Sequence, residues 1–382
     1  MSSVLGFGAV LAVISFFLYR RLGRATSTQP SVRRTVGVVL FVMWILALIG
    51  LGSGAVFDPS WARAPGFVGL TWLAAMLYLT LGVLLLGLIV LGLRIVYRLR
   101  RRDVGRARSR VLQAGSSLIV LVTVVTVGYG LFEAATPKIT RTDVSLARLP
   151  MEFDGVRVAL VSDIHAGPSR GPDFVQSIVD QVNAEKPDMV VLDGDLIDGT
   201  VELVGDVLEP IRELSAPLGV FAVSGNHEFY ADDGGKWLDL WTALGVDVLR
   251  NDRVTVTRGG AEIVVAGVND YTAPAPYEPD MDSALDGVDP ERFSFMLAHQ
   301  PRQAIQASDL GVDFQVSGHT HAGQIWPVRY LVPLQQPTVE GLDTIGSTTI
   351  YTTRGAGTWG PPVRVAAPPE ISMLTLRSQL SG

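Results

Sequence analysis

The sequence predicts an α/β domain, two sheets packed together with helices outside, carried behind a helical membrane region. Three observations predict it. Apolar segments crowd the first third of the 382 residues. Strand-like and helix-like segments then alternate. Several of those strands end in His, Asp or Asn, so functional groups gather at carboxyl ends of strands, where open α/β sheets form their crevices.

The charge divides along the same boundary. Residues 1–132 hold 14 Arg, no Lys and only Asp58 and Asp103 as acids, a net of +12. Residues 133–382 hold 17 Lys and Arg against 35 Asp and Glu, a net of −18, which leaves −6 overall. A mean hydropathy of +0.33 reflects the apolar first part. A basic, apolar part joined to an acidic, polar part predicts a membrane anchor carrying a soluble domain. The acidic domain argues against generic nucleic-acid binding, which relies on basic patches. The chain has no cysteine. Disulfides, Cys-ligated zinc and thiol nucleophiles are therefore excluded.

Four apolar segments come first, at 4–19, 36–57, 67–96 and 111–132. The last three reach the roughly 20 residues a spanning helix needs. The first is short and would need local thinning or snorkelling arginines. A cleaved signal carries its positive charge before the apolar core. Here the arginines follow it, which favours a retained helix. Residues 20–34 hold five Arg and residues 94–110 hold eight, whereas residues 53–66 hold one Arg and one Asp. Cytoplasmic loops collect Lys and Arg. The expected topology places both basic loops in the cytoplasm and everything after Phe132 outside it. Histidine and carboxylate are missing from the apolar segments, so a proton relay is not expected.

Residues 133–150 are expected to be a linker with a first strand near Lys138–Leu146, followed by the soluble domain over 151–382. Strands are predicted at 156–162, 189–192 and 219–223, alternating with helices at 172–184, 201–214 and 235–244. A hairpin of 254–257 and 263–267 turns at Gly259-Gly260. Strands at 293–297, 312–316, 348–352 and 371–376 follow, with a short helix at 302–308. The Pro- and Gly-rich stretches 272–290 and 326–346 read as long loops near the site.

The chemistry sits in five short motifs. Asp163-x-His165 follows one strand, and Gly194-Asp195-x-x-Asp198 the next. Gly225-Asn226-His227-Glu228, a lone His299 and Gly318-His319-x-His321 complete the set. Imidazole, carboxylate and amide oxygen form the ligand set of a divalent transition metal. One zinc takes three or four protein ligands, so seven or eight candidates fit two ions better than one. Two ions about 3.5–4 Å apart clamp the attacking and leaving oxygens of a phosphoryl transfer and lower the pKa of a bridging water.

In order and spacing these motifs resemble the calcineurin-like metallophosphoesterase superfamily, over about residues 150–376. The stretches Thr353–Arg364 and Pro368-Pro-Glu370 are similar to its bacterial membrane-associated phosphodiesterase branch. The resemblance implies a four-layer αββα sandwich. It implies one metal held by Asp163, His165, Asp195 and His321, and a second by Asp195, Asn226, His299 and His319. It implies that His227 meets the scissile phosphate or protonates the leaving oxygen, with Asp198 orienting it. The tyrosine ligand of purple acid phosphatases is not evident in these motifs, which favours two divalent ions of Mn²⁺, Fe²⁺ or Zn²⁺. The expected function is a membrane-anchored phosphoesterase acting on diesters, with envelope, lipid-linked or wall-polymer phosphates as substrates.

Plainer roles compete at single positions. Asp198 could equally cap a helix starting near Val201. Glu228 is expected to support the site from behind. Trp326, Tyr330 and Trp359 could line a substrate groove, although packing is the commoner role of any one aromatic residue. A phospholigand sensor without activity is the alternative function, and a membrane scaffold a third. The complete ligand set with His227 beside it speaks against both.

Overall fold

The computed structural model describes residues 2–24 and 29–379. It divides into two compact units, one formed by Met1–Phe132 with Gly360–Val363 and the other by Glu133–Trp359 with Arg364–Gly382.

The first unit is helical. α1 spans Ser2–Leu18 and continues as a π-helical turn, Tyr19–Arg24. α2 spans Pro30–Gly52, α3 Pro59–Leu99 and α4 Gly105–Glu133. All four are long and apolar enough to cross a membrane. α2 starts six residues before the expected Val36, because Pro30 stands at its start with a backbone angle already suited to a helix. It also ends earlier than expected. Residues 53–57 turn back instead, and the Phe57 N–H donates to the Gly52 carbonyl at 2.8 Å. The Asp58 carboxylate then caps α3 by accepting the Ser60 N–H at 2.8 Å. α3 runs 41 residues, or about 60 Å at 1.5 Å per residue. Leu18, Leu40, Met76, Leu79 and Val83 form a core among the first three helices.

The second unit holds two six-stranded sheets. Its strands are β1 Lys138–Leu146, β2 Arg157–Val161, β3 Met189–Asp193, β4 Val220–Val223, β5 Asp247–Val248 and β6 Asp252–Arg258. They continue with β7 Ala261–Gly267, β8 Ser294–Leu297, β9 Phe314–Ser317, β10 Gly341–Ile345, β11 Thr348–Thr352 and β12 Glu370–Ser378. The helices are α5 Pro172–Glu185, α6 Val201–Val204, α7 Glu228–Ala231, α8 Gly234–Ala243, α9 Met281–Leu285 and α10 Ala304–Asp309. One sheet has the order β1-β12-β2-β3-β4-β5, the other β10-β11-β9-β8-β7-β6.

Three apolar cores define four layers. Between the sheets lie Val158, Leu160, Phe221, Ile263, Phe295, Phe314 and Leu374, all buried. The outer face of the first sheet packs Val190 and Leu192 against Val175 and Ile178 of α5 and Trp237 and Trp241 of α8. The outer face of the second packs Val264 and Met296 against α9 and Ala307 of α10. Helices cover both sheets, and strands buried on both faces read as the apolar runs seen in the sequence. The expected αββα sandwich is therefore present.

Register decides where functional groups emerge. β2, β3 and β4 run parallel, with Val161 opposite Leu192 and Asp193 opposite Val223. In the second sheet β8 and β9 are parallel, with Leu297 opposite Val316. The residues just past these strands leave each sheet side by side. The predicted helix at 201–214 differs: α6 stops after one turn and a 3₁₀ segment, Gly205–Glu213, follows with Pro210 inside it. Proline lacks the N–H an α-helix needs there. The two expected loops are also partly ordered, since α9 lies within 272–290 and β10 within 326–346.

Phe295 is fully buried between the sheets and stacks on Phe314 at 4.9 Å between ring centroids. Phe295→Ala is expected to cost about 3–5 kcal/mol, read as a lowered Tm of the full chain in detergent. An unchanged Tm would contradict the inter-sheet core.

Candidate metal centre and active site

The five motifs meet at one place because each lies just beyond a strand end. A chain leaving a strand must turn sharply to aim several side chains at one point. Asp163, His165, Asp195, His319 and His321 all do so with left-handed backbone, at φ of 55°, 48°, 50°, 66° and 49°. This region is unfavourable for residues with a Cβ, at about 1–3 kcal/mol each. Backbone hydrogen bonds hold them there. Asp163 N–H donates to the Gly194 carbonyl at 3.0 Å and His165 N–H to the Asp195 carbonyl at 3.1 Å. Gly318 lets the loops close up, since a Cβ there would lie 2.3 Å from Asp163 Oδ2. Gly194, at φ 76°, would place a Cβ 2.4 Å from the Gly225 nitrogen.

Polar side-chain atoms converge in the middle. His321 Nε2 lies 3.0 Å from His165 Nε2 and 3.2 Å from Asp163 Oδ1. His165 Nε2 is 3.8 Å from Asp195 Oδ2, and on the other side His299 Nε2 is 3.1 Å from the same oxygen. The His299 and His319 rings stand edge to face at 5.3 Å. Asp163, His165 and His321 form one potential metal-binding group; Asp195, His299 and His319 form another. Atoms each about 2.0–2.2 Å from one ion stand roughly 3.0–3.5 Å apart, and the shorter separations fall in that range. Asn226 Oδ1 is buried with no hydrogen-bond partner among the described residues. Two buried carboxylates and an orphaned amide oxygen fit a cation, because buried charge needs compensation.

Hydrogen bonds behind the cluster fix which ring nitrogen faces inward. His165 Nδ1 lies 3.0 Å from Asp198 Oδ1. His299 Nδ1 lies 2.6 Å from the Asp193 carbonyl oxygen and donates to it. Both rings therefore present Nε2 to the cluster, the usual arrangement behind a metal-facing imidazole. Burial keeps His321 neutral, down to about 4. Burial alone would raise the Asp163 and Asp195 carboxyls. Neighbouring imidazoles outweigh it, His321 for the first and His299 for the second, and both are lowered.

His227 is placed differently. It is half-buried, on the open side of the cluster, with Tyr230 at 4.6 Å and Trp359 at 6.0 Å between ring centroids. Its Nδ1 lies 2.5 Å from Asp198 Oδ1. Burial opposes charge on this ring, but Asp195 and Asp198 prevail and raise it to about 9. Asp198 thus accepts from two histidines with one oxygen. The helix-capping alternative for Asp198 is not used: the Val201 N–H donates to Asp232 Oδ2 at 3.1 Å instead.

Glu228 does support the site from behind. It accepts the N–H groups of Gly225, Asp195 and Leu196 at 2.7, 3.1 and 2.9 Å, tying two ligand-bearing loops together. Of the aromatic candidates, Trp359 reaches His227, while Tyr230, which the sequence did not single out, stacks nearer.

Arg364 was also missed. It is fully buried, with Nη2 3.0 Å from His321 Nδ1, and it donates to the His321 carbonyl at 2.9 Å and to the Gly357 carbonyl at 2.6 Å. An arginine between Val363 and Val365 in an otherwise uncharged stretch was the available signal.

Residues 156–323 match the calcineurin-like phosphoesterase family. A transmembrane protein with metallophosphoesterase domain from Danio rerio is 35% identical over 80% of this chain and 74% of its own. One of the same name from Bos taurus is 34% identical over 75% of this chain and 69% of its own. An uncharacterized metallophosphoesterase from Helicobacter pylori is 40% identical over 65% of this chain and 66% of its own. The motifs, the sandwich and these relatives agree, and the chain belongs to the calcineurin-like phosphoesterases as a membrane protein and metal-dependent phosphoester hydrolase.

Proposed function

We propose that this protein is a dinuclear phosphodiesterase anchored in the cell membrane with its catalytic domain outside the cytoplasm. The observation that carries the reading is the convergence of seven donor residues from five strand ends. On this reading Asp163, His165, Asp195 and His321 hold one ion, and Asp195, Asn226, His299 and His319 hold the other, with Asp195 shared. Mn²⁺, Fe²⁺ or Zn²⁺ suits such nitrogen and oxygen donors. When bound, the pair supplies a water ionised near neutral pH and positive charge beside the phosphoryl oxygens.

The remaining work falls to the chain's own groups. Asp198 holds Nδ1 of His227, so the proton available for transfer is the one on Nε2. A cationic imidazole there stabilises charge on the leaving oxygen and then protonates it. Glu228 and Arg364 hold the loops in register. Trp359 and Tyr230 flank His227 on the open side, where the non-reacting part of a substrate can pack. The charge asymmetry of the flanking loops supports the outward orientation. Envelope, lipid-linked or wall-polymer phosphodiesters are then the accessible substrates.

A second reading also has an observation behind it. His165, Asp195 and His227 fall within ligand distance of one another, so His227 could itself be a metal ligand. One variant distinguishes the two. His227→Asn is expected to keep close to two ions per chain by elemental analysis and to lose about 10²–10⁴-fold in kcat on a diester with a poor leaving group. The loss should shrink with a good leaving group. Departure of an ion would favour the ligand reading.

Asp195→Ala, by contrast, is expected to empty both sites together, and a chelator to lower Tm, because ligands that bind only the folded state stabilise it. One fully occupied ion in active protein would exclude the dinuclear reading. The orientation has its own measurement: a reporter active only outside the cytoplasm, fused after Gly382, should be active. Activity of a cytoplasmic reporter at that position would overturn the compartment and the substrates inferred from it.

A further inference from the structure

The helical unit contains a cavity of about 380 Å³ between the end of α1, the second half of α3 and the first turns of α4. Arg21, Arg94 and Arg108 line it, one from each of three helical segments. No carboxylate lines it. The only acids of residues 1–132 are Asp58 and Asp103. Asp58 caps α3, and the Asp103 carboxylate accepts the Gly105 N–H at 3.1 Å. Among the described residues no salt bridge offsets these three guanidinium groups. They present three positive charges to one space.

Apart from Ser116, the rest of the lining is apolar and ordered by depth. Leu84, Leu88, Leu91 and Arg94 all line the cavity, and their spacing of three and four residues places them on one face of α3. From Leu84 to Arg94 the helix rises about 15 Å, half the thickness of a bilayer's hydrocarbon core. α4 repeats the order, with Arg108 one turn before Leu112. At the middle of the groove Gly87 leaves open space, where a Cβ would meet nothing within 4 Å.

We infer that this groove binds an anionic glycerophospholipid, its phosphate held by Arg21, Arg94 and Arg108 and an acyl chain lying along the leucine face of α3. Basic pockets between spanning helices bind anionic headgroups in this way. Free phosphate would use the arginines alone and leave the leucine-lined depth unfilled. Topology alone requires arginines only somewhere in the loops, not three turned onto one apolar cavity. The inference holds for either orientation of the chain and makes no use of the phosphoesterase centre.

The test is native mass spectrometry of the full chain in detergent with phosphatidylglycerol, phosphatidylcholine or inorganic phosphate added. One phosphatidylglycerol should be retained, with at least a tenfold preference over phosphatidylcholine. Each of Arg21→Gln, Arg94→Gln and Arg108→Gln should weaken it about fivefold. Gly87→Phe, which keeps every arginine, should block the groove and release the lipid, and it serves if an arginine variant does not fold. Equal retention of both lipids, retention unchanged by Gly87→Phe, or full displacement by inorganic phosphate would overturn the inference.

Discussion

Five residues just past strand ends hold left-handed backbone, and the centre exists only because they do. In a regular strand Asp163 and His165, two residues apart, would share one face but stand about 6.5 Å apart along it, side by side rather than aimed at one point. The turn out of the strand provides the convergence, and its conformational cost falls on residues with side chains, for which it is unfavourable. The surrounding sandwich offsets that cost. Three apolar cores fix the strands, the parallel register brings their carboxyl ends level, and Glu228 and Arg364 bind the outgoing loops to each other.

Much of this was legible in the sequence, for definable reasons. Buried strands of a sheet covered on both faces are continuous apolar runs, and each run here ended at a short polar motif. The hairpin at Gly259-Gly260 and the strand at Lys138–Leu146 were found from local pattern alone. The failures have equally local causes. β10 carries the pattern Gly341-Leu-Asp-Thr-Ile345 and only one of its residues is a large apolar side chain that alternation could detect before Ile345. α9 has five residues, too few for helical periodicity to show. β5 has two.

The site was legible as a set of residues but not as a network. Spacing indicated that Asp198 stood near the histidines. It could not decide between capping a helix and contacting a ring, because that depends on whether Asp232, 34 positions later, takes the Val201 N–H first. Arg364 was invisible for a related reason. Its partners are mostly backbone carbonyls, which every residue has, so nothing in the partner sequence marks them.

The doubly used oxygen of Asp198 has a consequence for how the protein can change. One atom positions His165, which faces the cluster of carboxylates, and His227, which faces the open side. Two tasks that could be tuned separately share a single acceptor. A substitution at 198 alters both rings at once, so neither can be adjusted there without disturbing the other. Variation that leaves the cluster intact has to enter further out, around Tyr230 and Trp359, where contact with His227 is made by aromatic surface rather than by the shared carboxylate.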